Sequence, residues 1–252
     1  MSNPLDMAGR TILVTGASSG IGRDTAILLS ELGARVVLVS RNLERLEETR
    51  SRMEGGGHSI EPFDLDNADK TPGWLKTVTA KCGPLDGLVH CAGAVHTIPV
   101  ALASVAKIEG LVRTNLTSAI MLVRAFRAPG CANRGSGIVL LSSAAGIVGA
   151  PNISTYSATK AALIGFTRSA ALELANSGFR LNCVAPGLVQ TEMLDHSREA
   201  MTDEQFEALR RKYPLDIGRA RDVAHAIVFL LAETGRWITG STLIVDGGYS
   251  AQ

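Results

Sequence analysis

A doubly wound α/β fold, one parallel sheet of about seven strands with helices on both faces, is predicted by three observations. Short apolar, β-branched runs alternate with helix-like stretches along the whole chain, without a linker or an internal repeat. The runs have the length of strands buried on both sides of a parallel sheet. The first of them leads into a glycine-rich turn that opens a helix. A single domain over 1–252 accommodates all of this, because 252 residues with 46% hydrophobic and 19% charged side chains can bury an ample core.

Taken in order, Thr11–Thr15 reads as a buried strand, followed by Gly16-Ala17-Ser18-Ser19-Gly20-Ile21-Gly22 and a helix from about Arg23 to Leu32 that Gly33 closes. Further strands are predicted at Arg35–Ser40, Leu85–Cys91, Gly137–Ser142, Arg180–Ala185 and Ser241–Val245, with a weaker one over His58–Asp64. Helices are predicted at Ser104–Phe126, Ser154–Ser177 and Ala220–Ala232. The stretch Leu188–Ile217 is too long for a simple connection and reads as a lid over about 188–217. Within it, Thr202-Asp-Glu-Gln205 has the form of a capping box, so a short helix is expected to about Lys212, ahead of Pro214. Ligands of such sheets sit beyond the carboxyl ends of the strands. That rule gathers Gly16–Gly22, Ser40–Arg41, Asp64, Cys91–Gly93, Ser142–Ser143 and Pro186–Gly187 at one edge.

Composition excludes several classes of partner. The formal net charge is +1 with no basic block, which argues against nucleic acid. No apolar run reaches membrane-spanning length, and Met1 to Gly9 lacks the apolar core of a signal peptide. Cys82, Cys91, Cys131 and Cys183 have neither C-x-x-C spacing nor the density of a disulfide framework, so free thiols and a cytoplasmic location are expected. His90 and His96 have no second histidine or carboxylate at ligand spacing, so they read as hydrogen-bonded or pocket-lining groups, and no metal site is expected.

Two motifs carry chemistry. Strand, glycine-rich turn and helix open a Rossmann-type dinucleotide-binding unit, in which the glycines let the backbone approach a pyrophosphate held at the helix N-terminus. The spacing is G-x-x-x-G-x-G rather than G-x-G-x-x-G, and a tight turn requiring positive φ would leave the same trace. Further along, Tyr156 and Lys160 stand four residues apart, on one face of a helix. A phenol titrates near ~10 unperturbed, and an ammonium at ~4 Å favours phenolate by up to ~4 kcal/mol at an effective dielectric of ~20. Alone, the spacing also describes a packed ring beside a solvated amine.

Together, Thr15–Gly22, Asn115, Ser143 thirteen residues before Tyr156, Lys160 and Pro186-Gly187 resemble the short-chain dehydrogenase/reductase family, over essentially the whole chain from Gly9 to Val245-Asp-Gly-Gly248. The resemblance implies an oxidoreductase in which Tyr156 exchanges a proton with the substrate oxygen. Lys160 would lower the pKa of Tyr156 and hold the nicotinamide ribose. Ser143, favoured over Ser142 because adjacent strand positions face opposite ways, would stabilise the substrate oxygen. Asn115 would support a proton relay to Lys160 through an ordered water; read alone, it is a helix-interior residue bonded locally. Cofactor contacts are implied for Gly16, Ser18, Ser19, Gly20, Ile21, Gly22, Ser40, Arg41, Asp64, Leu65, Ala92, Gly93, Tyr156, Lys160, Pro186, Gly187, Val189 and Thr191. One departure falls at His90-Cys91-Ala92-Gly93, where many relatives have Asn-Asn-Ala-Gly, although Ala92 and Gly93 keep the small surface.

At the end of the second strand Ser40-Arg41 stands where an acidic residue would repel a 2′-phosphate, and a guanidinium there favours NADP(H) over NAD(H), which stays possible. Asp64 is open to a second reading, a carboxylate capping the next segment. The walls expected around a substrate, Ala94–Pro99 and Ala145–Ile153, are mostly apolar, with His96 and Asn152 as polar exceptions, which suits an uncharged or weakly polar ketone or alcohol. Among relatives the layout is most similar to 3-oxoacyl carrier-protein reductases. Ser177 nevertheless stands where those enzymes often have a docking arginine, so sugar, steroid and other secondary-alcohol substrates remain open, as does a non-catalytic sensor. The long helices and the C-terminal strand imply a homotetramer by resemblance.

Overall fold

Thr11–Thr15 forms the first strand (β1), buried along its whole length, and α1 (Gly20–Glu31) leaves directly from the glycine-rich turn. There follow β2 (Arg35–Val39), α2 (Leu43–Ser51), β3 (Ser59–Ile60), α3 (Thr71–Cys82), β4 (Leu85–His90), α4 (Val105–Val112) and α5 (Ser118–Phe126). The second half holds β5 (Ala132–Leu141), α6 (Ser154–Ala175), β6 (Arg180–Pro186), β7 (Val189–Gln190), α7 (Glu192–Arg198), α8 (Asp203–Arg210), β8 (Gly218–Arg219), α9 (Ala220–Leu231) and β9 (Thr242–Val245). The computed structural model describes residues 3–199 and 201–251; Met1, Ser2 and Gln252 at the ends of the predicted domain, and Ala200 of the predicted lid, lie outside them.

The main sheet is seven-stranded, in the order β3-β2-β1-β4-β5-β6-β9, and every pairing in it is parallel. Strand side chains alternate between its faces. Ile12, Val14, Val36, Leu38 and Val89 pack with α1 and α9 residues such as Leu29, Val223 and Ile227. Leu13, Val37, Val39 and Leu88 pack on the other face with Leu75, Leu122, Phe126, Leu163 and Leu174 of α3, α5 and α6. Each face is thus closed by helices, as the apolar strands require.

Four details depart from the pattern expected of the sequence. The single helix expected over Ser104–Phe126 is interrupted at Arg113–Thr117 by a π-helical turn that carries Asn115. The expected strand at His58–Asp64 contracts to two paired residues, after which Phe63 stacks on Trp74 at 4.3 Å between ring centres. In β5, Ala132 already pairs with Leu85, and pairing then jumps to Gly137 opposite Gly87, so the intervening residues bulge out. Helix α7 and the two-stranded β7–β8 ribbon were not anticipated, since two-residue strands and a seven-residue helix leave almost no periodicity to read. The capping box is present as expected, Thr202 Oγ1 accepting the Gln205 N–H and Gln205 Oε1 accepting the Thr202 N–H, and α8 ends at Arg210. Among the described residues no helix is long and apolar enough to cross a membrane.

One half-buried cation ties β6 to the end of α9. Arg180 at the start of β6 donates to the Leu230, Gly235 and Leu231 carbonyls at 2.6, 2.8 and 3.1 Å, and Arg10 adds a bond to Leu231 O at 3.2 Å. The Leu230 and Leu231 carbonyls end α9, where the helix dipole is negative and no intrahelical partner exists, and Gly235 lies in the turn just beyond. Arg180→Met should leave them unpaired at constant bulk and lower unfolding free energy by roughly 2–3 kcal/mol, read by urea denaturation. A loss under about 0.5 kcal/mol would show that solvent satisfies the helix end instead.

Candidate active site

The glycine turn owes its shape to close backbone approach. At Gly16, φ is 66° and an added Cβ would lie 2.8 Å from Ala92 N; at Gly22 it would lie 2.3 Å from Gly16 O. The turn after β1 is therefore pressed against the segment after β4 and against its own helix, and α1 starts at Gly20, three residues ahead of the helix expected from Arg23. Ser19 is the N-cap residue, yet its side chain makes no capping bond, and no acidic residue lies in the first turn. The first N–H groups of α1, at a dipole's positive end and bordered by glycines, take their partners from outside the helix and fit an anionic group such as a pyrophosphate. Ser18 and Ile21 lie in the same turn, with Ser18 O accepting from Arg23 Nη2 at 2.6 Å and Ile21 O from Thr25 Oγ1 at 2.7 Å.

Behind the turn runs a chain of polar groups. Thr15 and His90, in register on β1 and β4, meet with Oγ1 and Nδ1 3.0 Å apart, and His90 Nε2 lies 3.3 Å from Ser118 Oγ. Ala92 N–H donates to Thr15 Oγ1 at 3.2 Å, and Ser118 O–H donates to Thr114 O at 2.5 Å. One direction satisfies every member: Thr15 O–H donates to Nδ1 and a protonated Nε2 donates to Ser118, which makes His90 a neutral imidazole. Burial and the Lys160 charge push its pKa down to about 3. His90 is thus a hydrogen-bonded core histidine that fixes the Ala92-Gly93 strip, in keeping with the reading of it as a non-ligand. Thr15 and Ser118 were missed, because strand register is invisible in one sequence.

Ser143, Tyr156 and Lys160 come together where β5 ends and α6 passes. Ser142 and Ser143 do face opposite ways: Ser142 is buried and donates to Lys160 O at 2.8 Å, whereas Ser143 Oγ accepts the Ala145 N–H at 3.1 Å and lies beside the Tyr156 phenol. Gly146 lets this turn touch α6, since a Cβ there would lie 2.8 Å from Ala161 N. Lys160 is only 4% exposed. Its Nζ donates to Leu141 O at 2.7 Å and sits 5.7 Å from the centre of the Tyr156 ring. Burial brings its pKa down to about 8. Burial raises the Tyr156 pKa and the Ser143 bond works against it, while the Lys160 ammonium bonds the Leu141 carbonyl.

Asn115 is buried beside them. Its Oδ1 accepts the Ala94 N–H at 2.8 Å, and its Nδ2 donates to Ala94 O at 2.9 Å and Thr159 Oγ1 at 3.1 Å. Both amide protons are used, so the side chain holds the strip after β4 in place. A Cβ on Gly93 would lie 3.3 Å from Asn115 Oδ1 and 3.4 Å from Lys160 Nζ.

The remaining predicted positions line the same edge. Ser40 Oγ accepts the Asn42 N–H at 3.2 Å, while Arg41 is exposed and makes no ion pair among the described residues. Asp64 Oδ1 accepts the Asp66 N–H at 3.1 Å, the capping role that its alternative reading described, and Leu65 is buried. Pro186 ends β6, and Gly187 has no room for a side chain, since a Cβ would lie 2.8 Å from the Tyr213 ring and 2.9 Å from Asp246 Cα. Val189 is buried in β7, and Thr191 is the N-cap of α7. The two expected substrate walls touch through Ile98 N–H donating to Asn152 O at 2.6 Å, with Asn152 at φ 66°. Among the described residues no group of three or more His, Cys, Asp or Glu is placed to hold a metal ion.

A parallel sheet with a glycine-lined helix N-terminus at its carboxyl edge, and a Ser, Tyr and Lys beside it, defines a dinucleotide-binding redox protein. Comparison with known proteins narrows this. The family model described as Enoyl-(Acyl carrier protein) reductase matches residues 16–250. The chain is 35% identical over 245 residues to the 3-oxoacyl-(acyl-carrier-protein) reductase FabG of Rickettsia conorii, covering 97% of this chain and 98% of that protein. It is 34% identical over 245 residues to the protein of the same name from Staphylococcus aureus, covering 95% and 97%. Among solved structures, a dehydrogenase/reductase from Sinorhizobium meliloti superposes with a TM-score of 0.90 at 31% identity, covering 98% and 97% of the two chains. A short-chain type dehydrogenase/reductase from Mycobacterium ulcerans gives 0.89 at 31%, covering 98% and 92%. The chain belongs to the short-chain dehydrogenase/reductase family, and is a nicotinamide-dependent oxidoreductase.

The state of His90 has a consequence for stability. Its pKa in the fold, about 3, lies below the ordinary histidine value of 6.5, so the unfolded chain binds the extra proton first. The His90 network then contributes fully above about pH 6.5 and is lost as pH falls, on the order of 1 kcal/mol per pH unit. His90→Asn should flatten the decline in urea-unfolding free energy between about pH 6.5 and about pH 4.5. Equal slopes in the two proteins would exclude His90 as its origin.

Proposed function

We propose that this enzyme reduces an uncharged or weakly polar ketone at the expense of NADPH, with a 3-oxoacyl thioester as the first candidate substrate. The observation that carries the reading is the Ser143–Tyr156–Lys160 arrangement with its phenol held protonated by burial. A protonated phenol is prepared to donate to a carbonyl oxygen as negative charge develops there, which favours reduction over alcohol oxidation. Ser143, whose hydroxyl bonds the phenol, would share that charge by donating to the substrate oxygen. Lys160, protonated below about pH 8, would steady the phenolate that results and hold the nicotinamide ribose. Asn115 would act by positioning the Gly93–Ala94 strip against Lys160. The nicotinamide cofactor supplies the hydride.

Residues Gly16–Gly22, Ala92-Gly93 and Pro186-Gly187 would hold that cofactor, with Val189 and Thr191 at the nicotinamide end and Asp64-Leu65 at the adenine. Arg41, with no carboxylate paired to it, would take a 2′-phosphate, which supports NADPH. The segment 188–217 would form a substrate lid on a single domain, in a homotetramer located in the cytoplasm. The names of the relatives support a 3-oxoacyl substrate, whereas Ser177 weakens the case for delivery by a carrier protein.

Oxidation of NADPH and NADH should be followed against 3-oxoacyl thioesters, sugars, steroids and simple ketones. Tyr156→Phe should lower kcat at least ~1000-fold on whichever substrate turns over, and retention of activity would remove Tyr156 from the chemistry. Arg41→Asp should lower the NADPH/NADH ratio of kcat/KM at least ~10-fold, and an unchanged ratio would sink the 2′-phosphate assignment. For wild type, kcat/KM for reduction should fall above about pH 8 as Lys160 loses its proton. A profile level to about pH 9.5 would remove the Lys160 charge from the rate-determining chemistry.

A further inference from the structure

The anion-binding turn already receives an anion from the protein itself. Gly20 N–H, the first N–H of α1, donates to Glu192 Oε2 at 3.1 Å. Glu192 Oε1 lies 3.8 Å from Arg23 Nη1 and 3.7 Å from Arg45 Nη2. Neither arginine was singled out from the sequence, since they lie on different helices and converge only in the fold. Glu192 is the first residue of α7, and the preceding Thr191 also covers the turn: a Cβ on Gly20 would lie 3.0 Å from its Cγ2. The carboxylate thus makes, with the helix N-terminus and two guanidinium groups, the contacts that a phosphate oxygen would make there. Its side chain is 36% exposed, and its ion pairs are long and part-solvated, so a more highly charged anion can displace it.

We propose that Glu192 is an internal competitor for the pyrophosphate subsite, a latch that ties α7 to α1 and is released when a dinucleotide binds. This rests on the reading of Gly16–Gly22 as the cofactor turn. A pyrophosphate oxygen and Glu192 Oε2 cannot both take the Gly20 N–H, so cofactor entry detaches the first turn of α7. Cofactor binding and lid position are thereby one equilibrium, and the apparent affinity is lowered by the fraction of molecules whose latch is closed. The latch is specific to the diphosphate: a ligand that occupies only the adenosine end does not compete with it.

The test measures Kd for NADPH, ADP and adenosine 2′-monophosphate by calorimetry on the full-length protein, in wild type, Glu192→Gln and Glu192→Ala. Hydrogen exchange over 192–198 is measured in the same proteins without added ligand. ADP and NADPH should bind ~3–10-fold tighter to both variants, and adenosine 2′-monophosphate should change less than ~2-fold. Amides of 192–198 should exchange faster in both variants than in wild type. Unchanged or weakened ADP binding overturns the latch, and so does an equal gain for all three ligands or unchanged exchange, either of which would mean a general charge effect. If wild-type NADPH binding and turnover are intact in those cases, only the latch falls. If neither NADPH nor ADP binds any of the three proteins, the cofactor reading of the turn falls and the latch with it.

Discussion

The site depends on one constraint: two backbone segments at the carboxyl ends of β1 and β4 approach more closely than any side chain at Gly16 would allow. That approach is held by Thr15, whose hydroxyl receives the Ala92 N–H and reaches His90 across the strand pair. Thr15, His90 and Ser118 are all fully or nearly fully buried, so each polar atom must find its partner inside the protein. Their chain ends on the main-chain carbonyl of Thr114, at the π-helical turn that carries Asn115. The glycine turn, the Ala92–Ala94 strip and the helix break are therefore one connected polar object. A change at any member is felt at the others, because a half-satisfied buried network costs more than an apolar replacement.

Lys160 is held by a second such joint. Ser142 bonds the main chain of α6 at Lys160, the Lys160 ammonium bonds the main chain of β5 at Leu141, and Gly146 removes the side chain that would separate them. Strand and helix are cross-tied around the ammonium. The cost is a charge held among apolar groups, visible in its lowered pKa. The Tyr156 pKa is raised by burial in turn, with the Ser143 bond working against it.

The later part of the segment 188–217 is tied to the C-terminal residues that follow β9. Tyr213 stacks on Tyr249 with ring centres 4.6 Å apart, Leu215 N–H donates to Gly247 O, and Asp246 receives the Gly248 and Ser250 N–H groups. Gly187 passes beneath, in the space between Tyr213 and Asp246. The start of that segment is held instead by Glu192 and Thr191 against α1. The segment thus has a stacked aromatic contact at one end and part-solvated ionic contacts at the other, and β7 pairs with β8 just ahead of α9.

The seven strands of the main sheet, their parallel topology, the glycine turn, the opposite facing of Ser142 and Ser143 and the capping box at Thr202 were determined by the sequence alone. Each rests on local spacing: alternation along a strand, i to i+4 on a helix, and small residues where backbone must pass close. What depends on register or on residues far apart was decided only by the tertiary structure. The pairing of Thr15 with His90 needs the β1–β4 register, and the π-helical turn needs Asn115 to find Ala94. The upward shift of Tyr156 comes from burial that only the fold creates, and Glu192 meets Gly20 from 172 positions away. Electrostatics and burial act through space, and one chain's order of residues records which groups exist but not which of them meet.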